Sequence, residues 1–418
     1  MDAIRFPEGF RLGVASAATQ IDGDCRNSNW YRWYLEGHIK DGSNPDVATR
    51  HRDRVEDDTT LMASMGIHDY RFGLEWSRLE PQKGVFCDEE YARVRDELTL
   101  LINKGIRPLV TLHHFSNPLW FEDQGGFLTK EGIKDFLEYV DQTIGRIGDL
   151  VNEYITINEP NVYALNGYFA GTWPPAKRSF FKMRRVIKNM GICHRKSYIH
   201  IHNIRRQMGL TDTRVGFAHH MRVFAPKNPK NPWHRLCNRI VIYYFQDYIS
   251  KTYTIGPRKY YGVYADFHAI NYYSRTSVSG LHDETFENVD CNDLGWEIYP
   301  DGIVECAHDM SKIIKLPIYV TENGTCDNHD AFRPRFIYEH LAAISKSDLP
   351  FQRYYHWCFV DNFEWLEGMS AHFGLVCFDP ATFERTIKKS GEFYKEIIKA
   401  GGIDAQIISQ YCDCSYHK

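Results

Sequence analysis

Eight short apolar runs, each followed by a segment of helical periodicity, constrain the fold of this chain more than any other feature. The predicted strands are 10–15, 69–76, 107–113, 154–159, 214–219, 265–272, 317–322 and 353–359. Between them apolar residues recur every three or four positions, as in the stretch from Tyr91 to Ile102. Regular alternation of strand and helix favours parallel pairing. Eight such units over 418 residues predict an α/β fold, a single-domain (β/α)8 TIM barrel.

The composition of the chain indicates how many domains it forms, which partners it lacks and which compartment it occupies. Because no linker or change in composition divides the chain, we expect one domain over 1–418, with a core of about 6–400 and a C-terminal tail at 401–418. A net charge of -4 gives no overall basic footprint for nucleic acid, and no apolar run is long enough to cross a membrane. We expect neither as a partner. Scattered cysteines, 11 in all, and an N-terminus without an apolar signal region predict a cytoplasmic protein.

Two glutamates follow short apolar strands far apart in the sequence. Glu159 comes directly after the run Ile155 to Asn158, and Glu322 ends the run 317–322. A carboxylate at the end of a buried strand is costly unless something uses it. Because the carboxyl ends of barrel strands share one face, we expect both glutamates in one pocket.

Two carboxyl groups in an aromatic pocket are suited to cleavage of a glycosidic bond. One must carry a proton for the leaving oxygen, and the other must be ionised to attack the anomeric carbon. Aromatic residues make up 14% of the chain, and their faces can stack on sugars. Arg71 is a candidate for keeping one carboxyl anionic. The alternative for a single strand-end glutamate is a structural ion pair with an arginine or lysine of the barrel.

Histidine pairs at 113–114 and 219–220 raise the possibility of a metal site with Glu159 and Glu322. Adjacent residues of a strand point to opposite faces, so neither pair can readily bring both rings into one site. We therefore expect neither a catalytic metal nor any other cofactor.

Recognisable runs follow one another in a fixed order along the chain. They are FRLGVASA at 10–17, QIDG at 20–23, YRF at 70–72, WSR at 76–78, TLHHF at 111–115, TINEP at 156–160, NYY at 271–273, YVTENG at 319–324 and DNFEW at 361–365. In this order they resemble the motifs of glycoside hydrolase family 1, the β-glucosidase and β-galactosidase family of retaining enzymes. TINEP is similar to its acid/base motif, and YVTENG is similar to its nucleophile motif.

The resemblance implies roles for particular residues. Glu159 is expected as the general acid and base and Glu322 as the nucleophile, with the two carboxyls about 5 to 5.5 Å apart. Arg71, Asn158 and Tyr273 are expected to support catalysis. Sugar contacts are expected from Gln20, His114, Asn158, Trp296, Trp357, Glu364, Trp365 and Phe373. Within this set, Asn158 is expected on the 2-hydroxyl, Trp357 beneath the sugar, and Trp296 beside the leaving group.

These residues predict a retaining exo-β-glycosidase that acts on β-glucosides and cello-oligosaccharides, with β-galactosyl and β-fucosyl residues as side substrates. Differences from the family pattern, Phe115, the pair 219–220 and the loop 326–334, all fall near the leaving group. One alternative is a 6-phospho-β-glycosidase, although the carboxylate of Glu364 would repel a phosphate. The other is a non-catalytic carbohydrate-binding protein. Because Glu322 is close and anionic, Glu159 is expected to titrate near neutrality.

Overall fold

The computed structural model of the chain describes residues 1–280 and 283–417, and within them eight parallel strands close into a barrel. The strands are β1 Arg11–Ala15, β2 Asp69–Gly73, β3 Arg107–Thr111, β4 Glu153–Asn158, β5 Arg214–Pro226, β6 His268–Val278, β7 Ile318–Asn323 and β8 Phe351–Trp357. Each strand pairs with its neighbours in sequence, and β8 pairs with β1 to complete the ring. The predicted (β/α)8 barrel is therefore confirmed.

Helices surround the barrel and connect its strands. The α-helices are Ala18–Ile21, Asn29–Leu35, Val55–Ser64, Trp76–Leu79, Asp88–Asn103, Leu119–Asp123, Lys130–Ile147, Pro160–Ala164, Phe180–Gln207, Pro232–Ile242, Tyr248–Thr254, Gly302–Ile313, Arg333–Ser345, Lys389–Ala400 and Ala405–Tyr411. Single turns of 3₁₀-helix occur at His51–Asp53, Gly126–Leu128, Arg258–Tyr260 and Trp365–Glu367, and π-helical turns at Leu165–Ala170 and Tyr243–Asp247. Short strands lie at Ile4–Arg5, Asp283–Glu284, Val376–Phe378, Arg385–Ile387 and Gly402–Ile403.

The helix Lys130–Ile147 illustrates how the sequence builds the outer layer. Its N-cap Thr129 accepts a hydrogen bond at 2.9 Å from the backbone N–H of Gly132, which satisfies one free donor of the first turn. Phe136, Val140 and Ile144 are buried along one face, as their spacing of four residues requires. The helix thus covers the barrel with one side and faces solvent with the other.

Strand β5 is much longer than the sequence predicted. Prediction ended it at 219, whereas β5 continues to Pro226, and the pairing of β5 with β6 extends to Pro226 opposite Val278. The ladder therefore rises beyond the rim of the barrel. In contrast, the run 69–76 was predicted too long, because Glu75 caps a helical turn that begins at Trp76.

The amino-terminal end of the barrel interior holds a buried ion pair. Arg353 at the start of β8 donates to Glu153 at the start of β4, with 2.8 Å between Nη2 and Oε1. The guanidinium also lies 4.5 Å from the centre of the Tyr319 ring. This pair fills the end of the barrel opposite the carboxyl ends of the strands.

The segment predicted as a C-terminal tail contains regular structure. Gly402–Ile403 pairs antiparallel with Ile4–Arg5, and Asp404 caps the helix Ala405–Tyr411 by accepting from Ile407 N at 2.9 Å. The chain ends are thereby joined at one side of the barrel. Among the described residues, no helix combines the length and hydropathy needed to span a bilayer.

Candidate active site

The two glutamates predicted from strand ends lie at the carboxyl face of the barrel. Glu159 follows β4 directly and adopts a left-handed conformation with φ 41°, and Pro160 then begins a helix. Non-glycine residues are rarely held in this conformation, and such strain is often found at functional sites. Glu322 belongs to β7 itself. Both side chains are buried, so each carboxyl depends on protein partners rather than on water.

Both oxygens of Glu322 receive strong hydrogen bonds. Arg71 Nη1 donates to Oε1 at 2.5 Å, and the Tyr273 hydroxyl donates to Oε2 at 2.6 Å. The guanidinium is itself fixed, because Nε donates to Thr111 Oγ1 at 3.1 Å. The carboxyl is therefore aimed by two donors from different strands.

Glu159 is held through a single oxygen by two side chains. Asn271 Nδ2 donates to Oε1 at 2.8 Å, and His220 Nδ1 lies 3.1 Å from the same oxygen. Arg222 Nε donates to His220 Nε2 at 2.8 Å. Since a guanidinium can only donate, this ring nitrogen accepts, and the proton on Nδ1 faces Glu159.

Asn158 connects the two carboxyl groups. Its Oδ1 accepts from Arg71 Nη2 at 2.7 Å and from Asn271 Nδ2 at 3.0 Å. Arg71 is the donor to Glu322, and Asn271 is the donor to Glu159. Thr321 adds a further restraint, since its hydroxyl donates to Asn271 Oδ1 at 2.7 Å. The glutamates are therefore parts of one buried network.

The network separates the pKa values of the two carboxyls, but not in the predicted direction. Burial raises the pKa of Glu322 to about 7, with Arg71 opposing the rise and the charge of Glu159 adding to it. Burial also acts to raise the pKa of Glu159, but His220, Asn271 and Arg71 together hold it below its ordinary value. In the ligand-free site the rise of the pKa towards neutrality thus falls on Glu322, whereas the expectation placed it on Glu159. The reason is His220, which that prediction left out.

A second polar group lies beside the pair. Gln20 Nε2 donates to the backbone oxygen of Phe363 at 2.8 Å and to Glu364 Oε2 at 3.2 Å, and Trp357 Nε1 reaches the same carboxyl oxygen at 3.5 Å. Burial raises the pKa of Glu364 to about 8, because these two donors only partly offset it. Within the described residues the buried Oε1 of Gln20 has no hydrogen-bond partner. It is available to a hydroxyl donor.

Aromatic rings surround these polar groups. The plane of the His114 ring is inclined by 27° to Trp357 and by 26° to Trp365, and the ring centroids lie 5.7 Å and 5.9 Å away. Trp296 lies 5.9 Å from Tyr273 and 6.0 Å from Phe373, again between ring centroids. The structure therefore brings all twelve residues that the sequence predicted for the site to one end of the barrel.

The prediction that the two histidines of each pair point to opposite faces of their strand is confirmed. His114 Nε2 accepts from Asn158 Nδ2 at 3.0 Å, whereas the His113 ring turns away to Asn117 at 2.9 Å. Likewise His220 faces Glu159, and His219 faces outward to Ser250. Among residues 1–280 and 283–417, no three His, Cys, Asp or Glu side chains are grouped to hold a metal ion.

Three contributors were missing from the predicted site: Asn271, His220 and Arg222. Asn271 lies one residue before the end of a predicted strand and His220 directly follows another, so their positions at strand ends pointed to the site. Arg222 lies beyond the predicted end of β5, and only the observed length of that strand places it behind the histidine.

Comparison with known proteins agrees with this geometry. The sequence model described as Glycosyl hydrolase family 1 matches residues 2–260 and 259–403. Beta-glucosidase A of Thermotoga maritima is 29% identical over 457 residues, covering 97% of this chain and 100% of that protein. A β-glycosidase from Pyrococcus horikoshii superposes with a TM-score of 0.89 at 32% identity, covering 98% of each chain. The Thermotoga maritima β-glucosidase in complex with deoxynojirimycin gives a TM-score of 0.87 at 26% identity, covering 96% of this chain and 100% of that one.

Proposed function

Because this chain belongs to glycosyl hydrolase family 1 and is a glycoside hydrolase, we propose that it is a retaining exo-β-glycosidase. Its substrates are terminal non-reducing β-D-glucosyl residues of β-glucosides and cello-oligosaccharides, with β-D-galactosyl and β-D-fucosyl residues as side substrates. The observation that carries this proposal is the network in which Asn158 joins the partners of Glu159 to those of Glu322. Retention requires two such carboxyls acting from opposite sides of one anomeric carbon.

The first step uses the form of the pair in which its one proton lies on Glu159: the carboxylate of Glu322 attacks the anomeric carbon while Glu159 gives that proton to the glycosidic oxygen. The bond to the leaving group breaks, the oxygen keeps the electron pair, and an alcohol departs. Arg71 and the Tyr273 hydroxyl point at the two oxygens of Glu322 and hold it in the attacking orientation. The fixed donors cost no reorganisation during reaction, which is why such preorganisation accelerates chemistry.

In the second step Glu159, now ionised, takes a proton from water. The water oxygen bonds to the anomeric carbon, and the ester bond to Glu322 breaks. Asn271 and His220 each donate to Glu159 and so favour its ionised form, which is the form needed as the base. The two carboxyls return to their starting protonation, so the cycle needs no cofactor.

Recognition of the sugar is assigned to the remaining predicted residues. Gln20, His114 and Glu364 offer polar atoms towards hydroxyls, and Trp357 offers an aromatic floor. Support for a glucosyl preference comes from the similar proteins, which are named β-glucosidases. Support for a cytoplasmic location comes from free thiols at 11 cysteines, which suit a reducing compartment.

A trapping experiment tests the assignment of Glu322. An activated 2-deoxy-2-fluoro-β-D-glucoside should inactivate the enzyme, and mass spectrometry of the digest should place the added sugar on Glu322. Glu322→Ala should lose turnover of an aryl β-glucoside and regain part of it with azide, giving an α-glucosyl azide. Glu131→Ala, an exposed glutamate on Lys130–Ile147, serves as the matched control. A label on another residue, or near-normal activity of Glu322→Ala, would overturn the proposal.

The same enzyme preparation separates the alternatives. A 6-phospho-β-glycosidase would prefer the phosphorylated aryl glucoside over the unphosphorylated one, and a non-catalytic sugar-binding protein would turn over neither. The half-buried carboxyl of Glu364 lies beside Gln20, and none of its observed hydrogen bonds comes from a basic side chain that could also hold a phosphate. This arrangement supports an unphosphorylated sugar as the substrate.

A further inference from the structure

Charge is distributed very unevenly along this chain. Residues 160–246 contain sixteen lysines and arginines but one acidic residue, Asp212. That stretch has a formal charge of +15, and the rest of the chain has -19, which together give the overall -4. Net charge of the whole chain therefore hides a strongly basic region. Local basic regions attract anionic surfaces even when the protein as a whole is acidic.

Much of this basic stretch lies at the mouth of the barrel. The helices Phe180–Gln207 and Pro232–Ile242 begin after β4 and β5, and so both start at the end that holds Glu159. The start of the first helix packs against the turn that follows the second, because the ring centroids of Phe180 and Tyr244 lie 5.2 Å apart. The two helices thus present a continuous surface beside the site.

An exposed apolar stripe runs along the helix Pro232–Ile242. Trp233, Leu236 and Ile240 follow one another at spacings of three and four residues, and Trp233 and Leu236 are 57% and 49% exposed. Tyr243 continues the stripe into the next turn. Tyr243 lines the same surface cavity as Phe181, which is 80% exposed. Large apolar side chains grouped in this way usually mark a contact surface.

Basic residues flank the stripe on both helices. Arg235 and Arg239 alternate with the apolar positions of one helix, and Arg185 and Lys188 are exposed on the other. We call this surface the basic apolar face and define it by Phe181, Arg185, Trp233, Leu236, Arg239 and Tyr243. Its combination of aromatic tips with lysines and arginines is typical of surfaces that lie in the interface of an anionic bilayer.

Beneath the basic apolar face lies an apolar cavity of about 560 Å³. Phe169, Ile240 and Tyr244 are among the side chains that line it, and its wall also includes Asn161. The Asn161 amide donates to the backbone oxygen of His220 at 2.7 Å, so the cavity lies close to Glu159. Space of this kind can receive an acyl chain but offers little to a polar ligand.

We propose that the basic apolar face docks the mouth of the barrel on an anionic lipid bilayer. Phe181, Trp233 and Leu236 enter the interfacial layer, and the flanking lysines and arginines contact the headgroups. Attachment is peripheral, since no helix in the described part of the chain is suited to cross a membrane. The sequence expectation of no membrane partner rested on whole-chain charge and on the absence of a spanning segment, and neither tests a local surface.

Nucleic acid is the competing anionic partner. Nucleic acid binds basic residues and stacks on aromatic rings, but aliphatic side chains such as Leu236 and Ile240 on a helix face add nothing to its binding. A bilayer buries both the aromatic and the aliphatic positions. The apolar cavity beneath the face also favours lipid, because bases and phosphates are polar.

Vesicle flotation tests this proposal with the full chain. Vesicles of phosphatidylcholine mixed with phosphatidylglycerol should carry the protein at low salt, and phosphatidylcholine alone should carry at least tenfold less. High salt should release the protein, because charge attraction is screened. Phe181→Ser/Trp233→Ser and Arg185→Glu/Arg239→Glu should each lower the bound fraction at least tenfold. Turnover of a soluble aryl β-glucoside should stay unchanged in both, which shows that they fold.

Matched controls come from other exposed parts of the protein. Tyr261→Ser removes an aromatic ring that is 74% exposed in the loop before β6, and Lys312→Glu/Lys395→Glu reverses two exposed charges on other helices. Both should bind vesicles like the unchanged protein. The proposal would be overturned if the face variants bound vesicles as well as the unchanged protein does, or if the protein did not bind anionic vesicles. It would also be overturned if the protein bound single-stranded oligonucleotide but not vesicles, and if that binding survived Phe181→Ser/Trp233→Ser.

Discussion

His220 Nδ1 lies 3.1 Å from Glu159 Oε1, and the same ring stacks at 5.6 Å on Tyr273, whose hydroxyl donates to Glu322. One rigid pair of rings therefore contacts both carboxyls. Arg222 fixes the ring from behind through Nε2. Because these contacts favour the ionised form of Glu159, they influence which carboxyl carries the shared proton.

The pH dependence of the unchanged enzyme should be bell-shaped. The pair of Glu159 and Glu322 holds one proton between the lowered pKa of Glu159 and the pKa of about 7 of Glu322. Values of kcat/KM for an aryl β-glucoside should fall above about pH 7, when the last proton leaves, and at acid pH, when a second one binds. The shared proton can lie on either glutamate, and the two forms titrate together. The fall in activity near pH 7 therefore belongs to the pair and not to one residue. A profile that stays flat through neutral pH would contradict this.

His220→Phe should move the alkaline limb to higher pH. Phenylalanine keeps the stack on Tyr273 but removes the donor to Glu159, so the doubly ionised pair becomes less favourable. Hydrogen bonds to charged groups contribute ~1.5–3 kcal/mol, and the alkaline limb of the pH profile should therefore rise by about one to two pH units. The control is His219→Phe, whose ring faces outward to Ser250. A limb that stays in place in His220→Phe would exclude this role for the histidine.

Glu364→Gln should weaken the use of an unphosphorylated β-glucoside. The amide keeps the size of the side chain but can replace one carboxyl oxygen, the acceptor for Gln20 and Trp357, by an NH2 group that only donates. Leaving a buried hydrogen-bonding group unsatisfied costs ~1–3 kcal/mol, so kcat/KM should fall about fivefold to a hundredfold. Steady-state kinetics with an aryl β-glucoside measure this effect, and Glu367→Gln, at the end of the same turn, is the control. Unchanged kinetics would remove Glu364 from the sugar site.

Arg353→Met should destabilise the fold without changing the chemistry. The substitution leaves Glu153 buried at the amino-terminal end of the barrel without its partner. Breaking a buried ion pair in this way costs ~3–5 kcal/mol, whereas replacing both partners by apolar groups costs much less. Denaturant unfolding should therefore show that Arg353→Met/Glu153→Leu recovers part of the loss. If the double variant is less stable than Arg353→Met, the ion pair is not the cause.

Gly324→Ala should damage both stability and activity. A Cβ atom at Gly324 would lie 1.9 Å from the backbone oxygen of Trp357, so one of the two backbone segments must shift. Trp357 is the proposed floor of the sugar site, and its displacement should lower kcat/KM and the unfolding midpoint together. Gly145→Ala is the matched control, since its Cβ meets nothing within 4 Å and it lies in the helix Lys130–Ile147. That control should be neutral or more stable by ~0.5–1 kcal/mol.

Local patterns in the sequence were enough to predict the barrel. Helical stripes and β-branched runs reflect which residues face the core, and that preference is set within a few neighbouring positions. Strand ends then predicted that Glu159 and Glu322 share one pocket, because parallel strands of a barrel finish on one face, whereas Asn158 and Tyr273 came from the resemblance to the family. For β5 the same reasoning failed after His219, since the extension beyond the rim depends on its pairing with β6.

Long-range contacts decided the remainder. Alternation along β5 permits only one of His219 and His220 to face inward, and the register that sets His220 opposite Asn271 chooses between them. Partition of the proton depends on contacts such as His220 to Glu159, 61 positions apart, and Arg71 to Glu322, 251 positions apart. The sequence by itself determined which carboxyls meet, because strand ends follow from local patterns and the parallel strands of a barrel end on one face. Only the tertiary structure decided how those carboxyls share a proton, because distance and burial set a pKa and neither is encoded locally.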